Sequence, residues 1–167
     1  MKTKTKNIYY LEELSDYKVA SDDPDVRGWE VKDRDGKIIG EVKNLLVNKQ
    51  TERVVYLDVE VDESIIAKNY KPYSKSASDG VHGFLNEDGE NHIIIPIGMV
   101  NLQESNKIVS TNEIDHKTFA ETKRKTKDAP VYRDYEVIIL DTYTRSNPKR
   151  TYPEDESFYT QREFDQR

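Results

Sequence analysis

The segment that decides the fold runs from Arg53 to Asp62 and reads RVVYLDVEVD. Alternate side chains of an extended strand point to opposite sides of its sheet. The odd-numbered positions from 55 to 61 are all Val or Leu, whereas Tyr56, Asp58 and Glu60 occupy even-numbered positions. A helix would scatter these two classes around its circumference. The segment therefore predicts a β-strand that is buried on one face.

Further strand patterns, separated by turn-forming residues, occupy residues 28–32, 37–48, 92–100 and 107–110. Asp35-Gly36 supplies a hairpin turn between the first two, because glycine tolerates a positive φ. Gly40 indicates a bend or a close backbone approach, and Pro96 argues for an edge strand or a bulge. Five short strands with tight turns are typical of a small barrel or a highly curved sheet. We therefore expect an all-β, or mainly β, core.

Around this core the chain divides into four regions. They are an N-terminal arm packing on the barrel (1–24), the barrel core with an insertion at 63–91 (25–112), a C-terminal helix and return segment (113–143) and a polar tail (144–167). Asp115 can cap a helix from His116 to about Lys123, and residues 135–140 favour a strand or a short helix. Loops as long as the insertion are often functional or disordered. We expect the tail to be mobile unless a partner or a second subunit orders it.

Composition excludes several classes of function. The net charge of −6 disfavours non-specific binding to DNA or to an anionic membrane, because phosphate attraction needs a basic face. The absence of cysteine excludes disulfides, thiolate catalysis and Cys-based zinc sites, and it fits the cytoplasm. No apolar run approaches the roughly 18–20 residues that span a bilayer. We therefore expect a soluble, cytoplasmic protein with no direct membrane insertion.

The chain as a whole resembles the PRC-barrel family. The phrases that carry the resemblance are LSDYKV at 14–19, DVRGW at 25–29, DGKIIGEV at 35–42, VYLDVEV at 55–61 and IPIGMV at 95–100. More narrowly, from about Leu11 to Val109 they resemble the branch related to the cytoplasmic domain of the photosynthetic reaction centre H subunit. The resemblance implies a small antiparallel β-barrel, followed here by a short C-terminal helix and an extended tail. It also implies a non-enzymatic role. The H-subunit domain caps a quinone-reducing centre and helps conduct protons through acidic groups.

Two groups of charged residues are candidate contact sites. Asp58, Glu60 and Asp62 share one strand face, where close carboxylates would suit a proton relay or a cation; the simpler interpretation is a solvated outer face. The resemblance relates Asp58-Val59-Glu60 to a carboxylate-bearing strand of the H-subunit domain. A basic segment that we expect to be exposed could touch RNA or phosphate, although a charge run is usually a solvated face. Its members are Lys123, Arg124, Lys125 and Lys127.

Other features favour structural interpretations. Residues 33–36 and 86–89 fit hairpin turns better than calcium loops, because the spaced oxygen ligands are missing. His82, His92 and His116 lack metal-ligand spacing, and Trp29 fits core packing better than a ligand platform. No phosphate loop, dinucleotide fingerprint or nucleophile motif occurs. We therefore expect no catalytic residues, no cofactor and no metal.

Three functions remain from this reading of the sequence. The leading hypothesis is a PRC-barrel adaptor or scaffold for an unknown protein partner, self-associating as a homo-oligomer, most simply a dimer. The second is an accessory factor in photosynthetic or quinone-linked electron transport that assists proton transfer. The third is an RNA- or ribosome-associated binding module that uses the basic segment.

Overall fold

The structure is a computed structural model, and it describes residues 8–11, 25–48, 53–62, 91–111, 114–115, 118–119, 122, 124–127, 129–144, 158–159, 161 and 164. The predicted insertion lies outside these residues apart from Asn91, as do most of the arm and most of the tail. His82 and His116 also lie outside them. Of the helix expected near Asp115, Thr118 and Phe119 are described and are helical.

The described chain is mostly β, with one α-helix that is described along its whole length. The strands are β1 (Ile8–Tyr10), β2 (Glu30–Lys32), β3 (Ile38–Asn48), β4 (Arg53–Val61), β5 (His92–Pro96), β6 (Asn101–Gln103) and β7 (Ile108–Ser110). A 3-10 turn, Ile97–Met99, follows β5, and the α-helix α1 spans Arg133–Thr144. The segment 135–140, which the sequence left open between strand and helix, is therefore helical.

All seven strands belong to one sheet, in the order β5-β4-β3-β2-β7-β6, with β1 paired to β3. The expected barrel closure is wrong for the described residues, because no ladder joins the two ends of this order. The outer edge of β5 instead pairs with Lys125. The His92 N–H donates to the Lys125 backbone oxygen at 2.9 Å, and the Lys125 N–H donates to the His92 oxygen at 2.7 Å. The expectation that all strands pair antiparallel is also wrong for one pair, β2 and β7. The β6–β7 turn brings β7 beside β2 in the same direction, so this pair is parallel.

The long β3–β4 hairpin gives the sheet its curvature. Its register shifts between Val42 and Asn44 and again between Leu46 and Val47. Such bulges increase the local twist. Gly40 lies against the neighbouring strand, where a Cβ atom would collide with the backbone carbonyl of Glu60. The close backbone approach predicted at this glycine is confirmed.

The turn between β2 and β3 is built by Asp33 and Gly36. The Asp33 Oδ1 accepts hydrogen bonds from the backbone N–H groups of Asp35 (2.9 Å) and Lys37 (2.8 Å). Gly36 has a φ of 83°, in the region that favours glycine. The carboxylate is thus used to cap the turn, as the hairpin interpretation predicts.

The core contains residues from every part of the described chain. Trp29 is 8% exposed and packs in the core, as its strand position predicts. Phe158, Tyr159 and Phe164 are also buried, although they belong to the region expected to be a mobile tail. That expectation is wrong for these residues, because their aromatic rings are buried in the core that the sheet forms. Burying a large aromatic side chain contributes roughly 1.5–3 kcal/mol.

Candidate functional site

Asp58 lies on the face of β4 that the sequence indicated as solvent-facing, yet it is buried. The neighbouring strand β5 and the segment 124–127 cover it. Glu60, two residues along, keeps 45% of its side chain exposed, and Asp62 is exposed. The expected outer acidic face is therefore wrong for Asp58. The three carboxylates follow one another on the same face of the strand pattern, but they differ in how far they are exposed to solvent.

Asp58 is surrounded by two basic side chains, His92 and Lys125, and we call these three residues the Asp58 cluster. The Lys125 Nζ donates to the Asp58 Oδ1 at 2.7 Å. The His92 Nδ1 lies 3.2 Å from Oδ1 and 3.1 Å from Oδ2 of the same carboxylate. All three side chains are at most 7% exposed. The cluster joins β4, β5 and the segment that contains Lys125.

The electrostatics of the Asp58 cluster favour an ionised carboxylate. Burial acts to raise the pKa of Asp58, but the hydrogen bond to His92 and the charge of Lys125 outweigh it. The pKa of Asp58 consequently lies below its ordinary value. On the other side of the imidazole, the His92 Nε2 lies 3.7 Å from the Oε2 of Glu60. The imidazole therefore stands between a buried carboxylate and a half-exposed one.

Tyr10 braces Lys125 from the N-terminal strand β1. Its ring centroid lies 5.0 Å from the Lys125 Nζ, within the range of a cation–π contact. Its hydroxyl donates to the backbone oxygen of Ala129 at 2.6 Å. Tyr10 thus contacts Lys125 through its ring and Ala129 through its hydroxyl.

A second buried carboxylate, Glu136, lies on α1. It is 0% exposed and accepts hydrogen bonds from the hydroxyls of Tyr56 (2.8 Å, to Oε1) and Tyr159 (3.0 Å, to Oε2). The Arg133 Nε lies 3.4 Å from Oε2, one helical turn away. We call these four residues the Glu136 cluster. It joins β4, α1 and the C-terminal residues.

Burial dominates the proton equilibria of the Glu136 cluster. Desolvation raises the pKa of Glu136, and the hydrogen bonds from Tyr159 and Tyr56 only partly oppose it. Burial also raises the pKa of both tyrosines well above the ordinary value, and the negative charge of Glu136 adds to this. Both hydroxyls therefore keep their protons and remain donors at physiological pH.

A family model decides the identity of the central region. The profile of the PRC-barrel domain matches residues 18–114, more than half of the 167-residue chain. The chain belongs to the PRC-barrel family. Among curated proteins, none is significantly similar to it.

Both clusters join the PRC-barrel domain to the residues that follow it. Asp58 and Tyr56 lie inside the matched region, whereas Lys125, Glu136 and Tyr159 lie beyond it. Each cluster therefore pairs a domain side chain on β4 with side chains from the C-terminal extension. We use this term for residues 115–167 of the PRC-barrel chain.

The predicted basic segment is only partly at the surface. Arg124 is 7% exposed and Lys125 is 6% exposed, so their expected exposure is wrong. The carboxylate of Asp58 and the edge of β5 draw Lys125 inward. Lys127 is exposed, and Lys123 lies outside the described residues. An RNA contact through these four residues stays a prediction, with fewer surface cations than the sequence suggested.

The described part of the chain lacks the features of a metal site and of a membrane-spanning helix. No group of three or more His, Asp or Glu side chains there could hold a metal ion. Asp58 is already engaged by Lys125 and His92. None of the helical segments described has the length and apolar character needed to cross a bilayer.

The sequence carried only part of the signal for these clusters. Glu136 interrupts the apolar run 135–140, and an isolated acid in such a run is a sign of a buried polar group. Its tyrosine donors could not be found locally, because Tyr56 is 80 and Tyr159 is 23 positions away. His92 lacks metal-ligand spacing in the sequence, yet in the structure it is the second side chain in contact with the Asp58 carboxylate.

Proposed function

We propose that this PRC-barrel protein is a non-enzymatic adaptor that self-associates and binds a protein partner through the edge of its sheet. The observation that carries the proposal is the position of β6. Within the described residues, it pairs with β7 on one side and ends the sheet on the other. An edge strand presents peptide groups that can pair with another chain.

The side chains of β6 suit pairing between two copies. Asn101 and Gln103 are exposed and Leu102 is half-buried. In an antiparallel pair of two β6 strands centred on Leu102, Asn101 of one copy would lie opposite Gln103 of the other. Two neutral polar residues tolerate this arrangement, and like charges at these positions would oppose it.

The buried ionisable groups support a role without catalysis. Perturbed carboxylates at active sites usually lie in clefts that a substrate can enter. Asp58 and Glu136 lie instead between elements of one chain, and each accepts hydrogen bonds from that chain. These hydrogen bonds hold residues of the C-terminal extension against the PRC-barrel domain.

Light scattering on a size-exclusion column tests the adaptor proposal. We expect the unmodified chain to form a dimer, and the variant Asn101→Lys/Gln103→Lys to shift to monomer because paired lysines repel. The variant Ser105→Lys/Asn106→Lys is the matched control, since it adds the same charge in the exposed β6–β7 turn. A monomeric unmodified chain at all concentrations, or equal masses for both variants, would contradict edge pairing.

A second candidate function follows from the arrangement of Glu60, His92 and Asp58. The His92 ring contacts the buried Asp58 on one side and approaches the half-exposed Glu60 on the other. Such an alternation of carboxylate and imidazole is a route by which protons can move between the surface and the interior. It favours the accessory role in quinone-linked electron transport that the resemblance to the reaction centre H subunit implies.

Proton-coupled turnover of a membrane quinone enzyme that binds the chain tests this second candidate. Replacing Asp58 with Asn and Glu60 with Gln should slow turnover, because each change removes a proton-accepting site. Lys127→Gln serves as a control at an exposed position outside the route. Turnover that is unchanged in the Asp58 and Glu60 variants would exclude proton relay through this strand.

A further inference from the structure

The stretch 158–164 reads FYTQREF, and its three aromatic side chains form a small unit of their own. The rings of Phe158, Tyr159 and Phe164 are in mutual contact, with centroids 5.2–5.6 Å apart. The backbone oxygen of Phe158 accepts a bond from the Gln161 side-chain amide at 2.8 Å. The Phe164 N–H donates to the Gln161 oxygen at 2.9 Å. Local bonds therefore present three rings from one short segment.

The surface that receives this segment makes a different contact with each ring. The Arg133 guanidinium lies 4.0 Å from the Phe158 centroid, a cation–π geometry. Glu136 accepts the Tyr159 hydroxyl, and the Tyr56 ring meets Phe164 edge-on at 5.3 Å. We call Tyr56, Arg133 and Glu136 the Tyr56 face.

The main chain of the segment is recognised as well as its rings. Arg53, at the start of β4, donates a hydrogen bond to the backbone oxygen of Phe164. A site that combines apolar ring contacts with a few placed polar groups is typical of peptide recognition. This combination distinguishes the Tyr56 face from ordinary core packing, which needs no polar groups.

We propose that the Tyr56 face is a binding site for a short aromatic peptide segment of the pattern Phe-Tyr-x4-Phe, which residues 158–164 occupy in the resting chain. The ligand class is a segment of this pattern on a partner protein, which replaces the chain's own segment. The inference rests on the proposed adaptor function and names the kind of partner that such an adaptor would bind.

Covalent attachment of the segment sets the strength that a competing ligand needs. The segment and the Tyr56 face belong to one chain, and intramolecular binding of this kind corresponds to an effective concentration of roughly millimolar. An external segment of equal quality therefore competes only at about that concentration. Weakening the chain's own segment removes this competition and exposes the site to a free peptide.

Fluorescence anisotropy with a labelled peptide of residues 156–167 tests the proposal. The full-length host Phe158→Ala/Phe164→Ala should bind the peptide at least about tenfold more tightly than the unmodified chain does, because its own segment competes poorly. A peptide with the same two alanines is the matched control and should not bind. Equal binding to the two hosts, or no binding to a folded variant host, would overturn the proposal.

Hydrogen exchange on the unmodified chain is a second test of the proposal, and it does not require the variant host to fold. Unlabelled peptide at millimolar concentration should increase amide exchange in residues 158–164, and the alanine peptide should leave it unchanged. Unchanged exchange with both peptides would overturn the proposal. The edge variant Asn101→Lys/Gln103→Lys should still bind the peptide when it also carries Phe158→Ala/Phe164→Ala. A failure of edge pairing would therefore change the oligomeric state, whereas a failure of this site would change peptide binding.

Discussion

The Nζ of Lys125 lies 2.7 Å from the Oδ1 of Asp58, although the two residues are 67 positions apart in the chain. Asp58 lies inside the PRC-barrel domain and Lys125 lies beyond it. A buried pair of this kind is costly to break, because removing one partner leaves an uncompensated charge. The contact therefore joins the part of the C-terminal extension around Lys125 to the domain.

Replacing Lys125 with Met should lower the free energy of unfolding by about 3–5 kcal/mol, the range found when one partner of a buried ion pair is removed. Urea denaturation measures this difference. Lys127→Met is the matched control at an exposed position and should stay within about 0.5 kcal/mol of the unmodified chain. Equal costs at the two positions would mean that the Asp58 contact contributes nothing to stability.

Asp58 should make the protein sensitive to acid. Its folded-state pKa lies below the ordinary value of 3.8, so its contribution is present above that value and is lost as the pH falls through the lower folded pKa. The free energy of unfolding should therefore decrease over this acidic window. Asp58→Asn should show a shallower decrease, measured by denaturation at a series of pH values. Parallel curves for the two proteins would rule out this linkage.

Glu136 should act in the opposite direction. Its folded-state pKa lies above the ordinary value of 4.5, so its stabilising contribution is complete below that value and is lost as the pH rises through the folded pKa. Amide exchange in residues 158–164 should therefore accelerate with pH beyond the intrinsic chemical rate. Glu136→Gln should remove this additional acceleration. An additional acceleration of equal size in the Gln variant would assign it to another group.

Tyr56→Phe should lower the free energy of unfolding by about 1.5–3 kcal/mol, because Glu136 loses a donor in a buried position. A double-mutant cycle with Glu136→Gln should give a coupling of about 0.5 kcal/mol or more, since Tyr56→Phe removes this hydrogen bond and Glu136→Gln replaces its charged acceptor with a neutral one. Thermal or urea unfolding of the four proteins supplies the cycle. Strictly additive effects would show that the hydroxyl and the carboxylate do not interact.

The sequence predicted what depends on neighbours along the chain. The alternation in 53–62 identified β4, and Gly40 indicated the close approach to Glu60 that the structure contains. It could not predict that Asp58 is buried, because residues far along the chain cover that face. A charged residue on the polar face of an isolated strand pattern looks the same whether water or Lys125 lies above it.

The C-terminal residues show the same limit. Phe158, Tyr159 and Phe164 are spaced too irregularly for a helix or strand pattern, and polar residues surround them. Their place in the core depends on Tyr56 and Glu136, which no local rule connects to them. The open edge at β6 likewise follows from how the strands are ordered, which no local sequence pattern predicts.

The central claim is that the Asp58 and Glu136 clusters hold residues of the C-terminal extension against the PRC-barrel domain. Hydrogen exchange measured residue by residue tests this claim most directly. The account predicts slow exchange at Lys125 and Phe164, whose amides donate to backbone oxygens, and much faster exchange there in the variant Asp58→Asn/Glu136→Gln. Exchange at these two amides at the rate of an unstructured peptide in the unmodified chain would contradict the account.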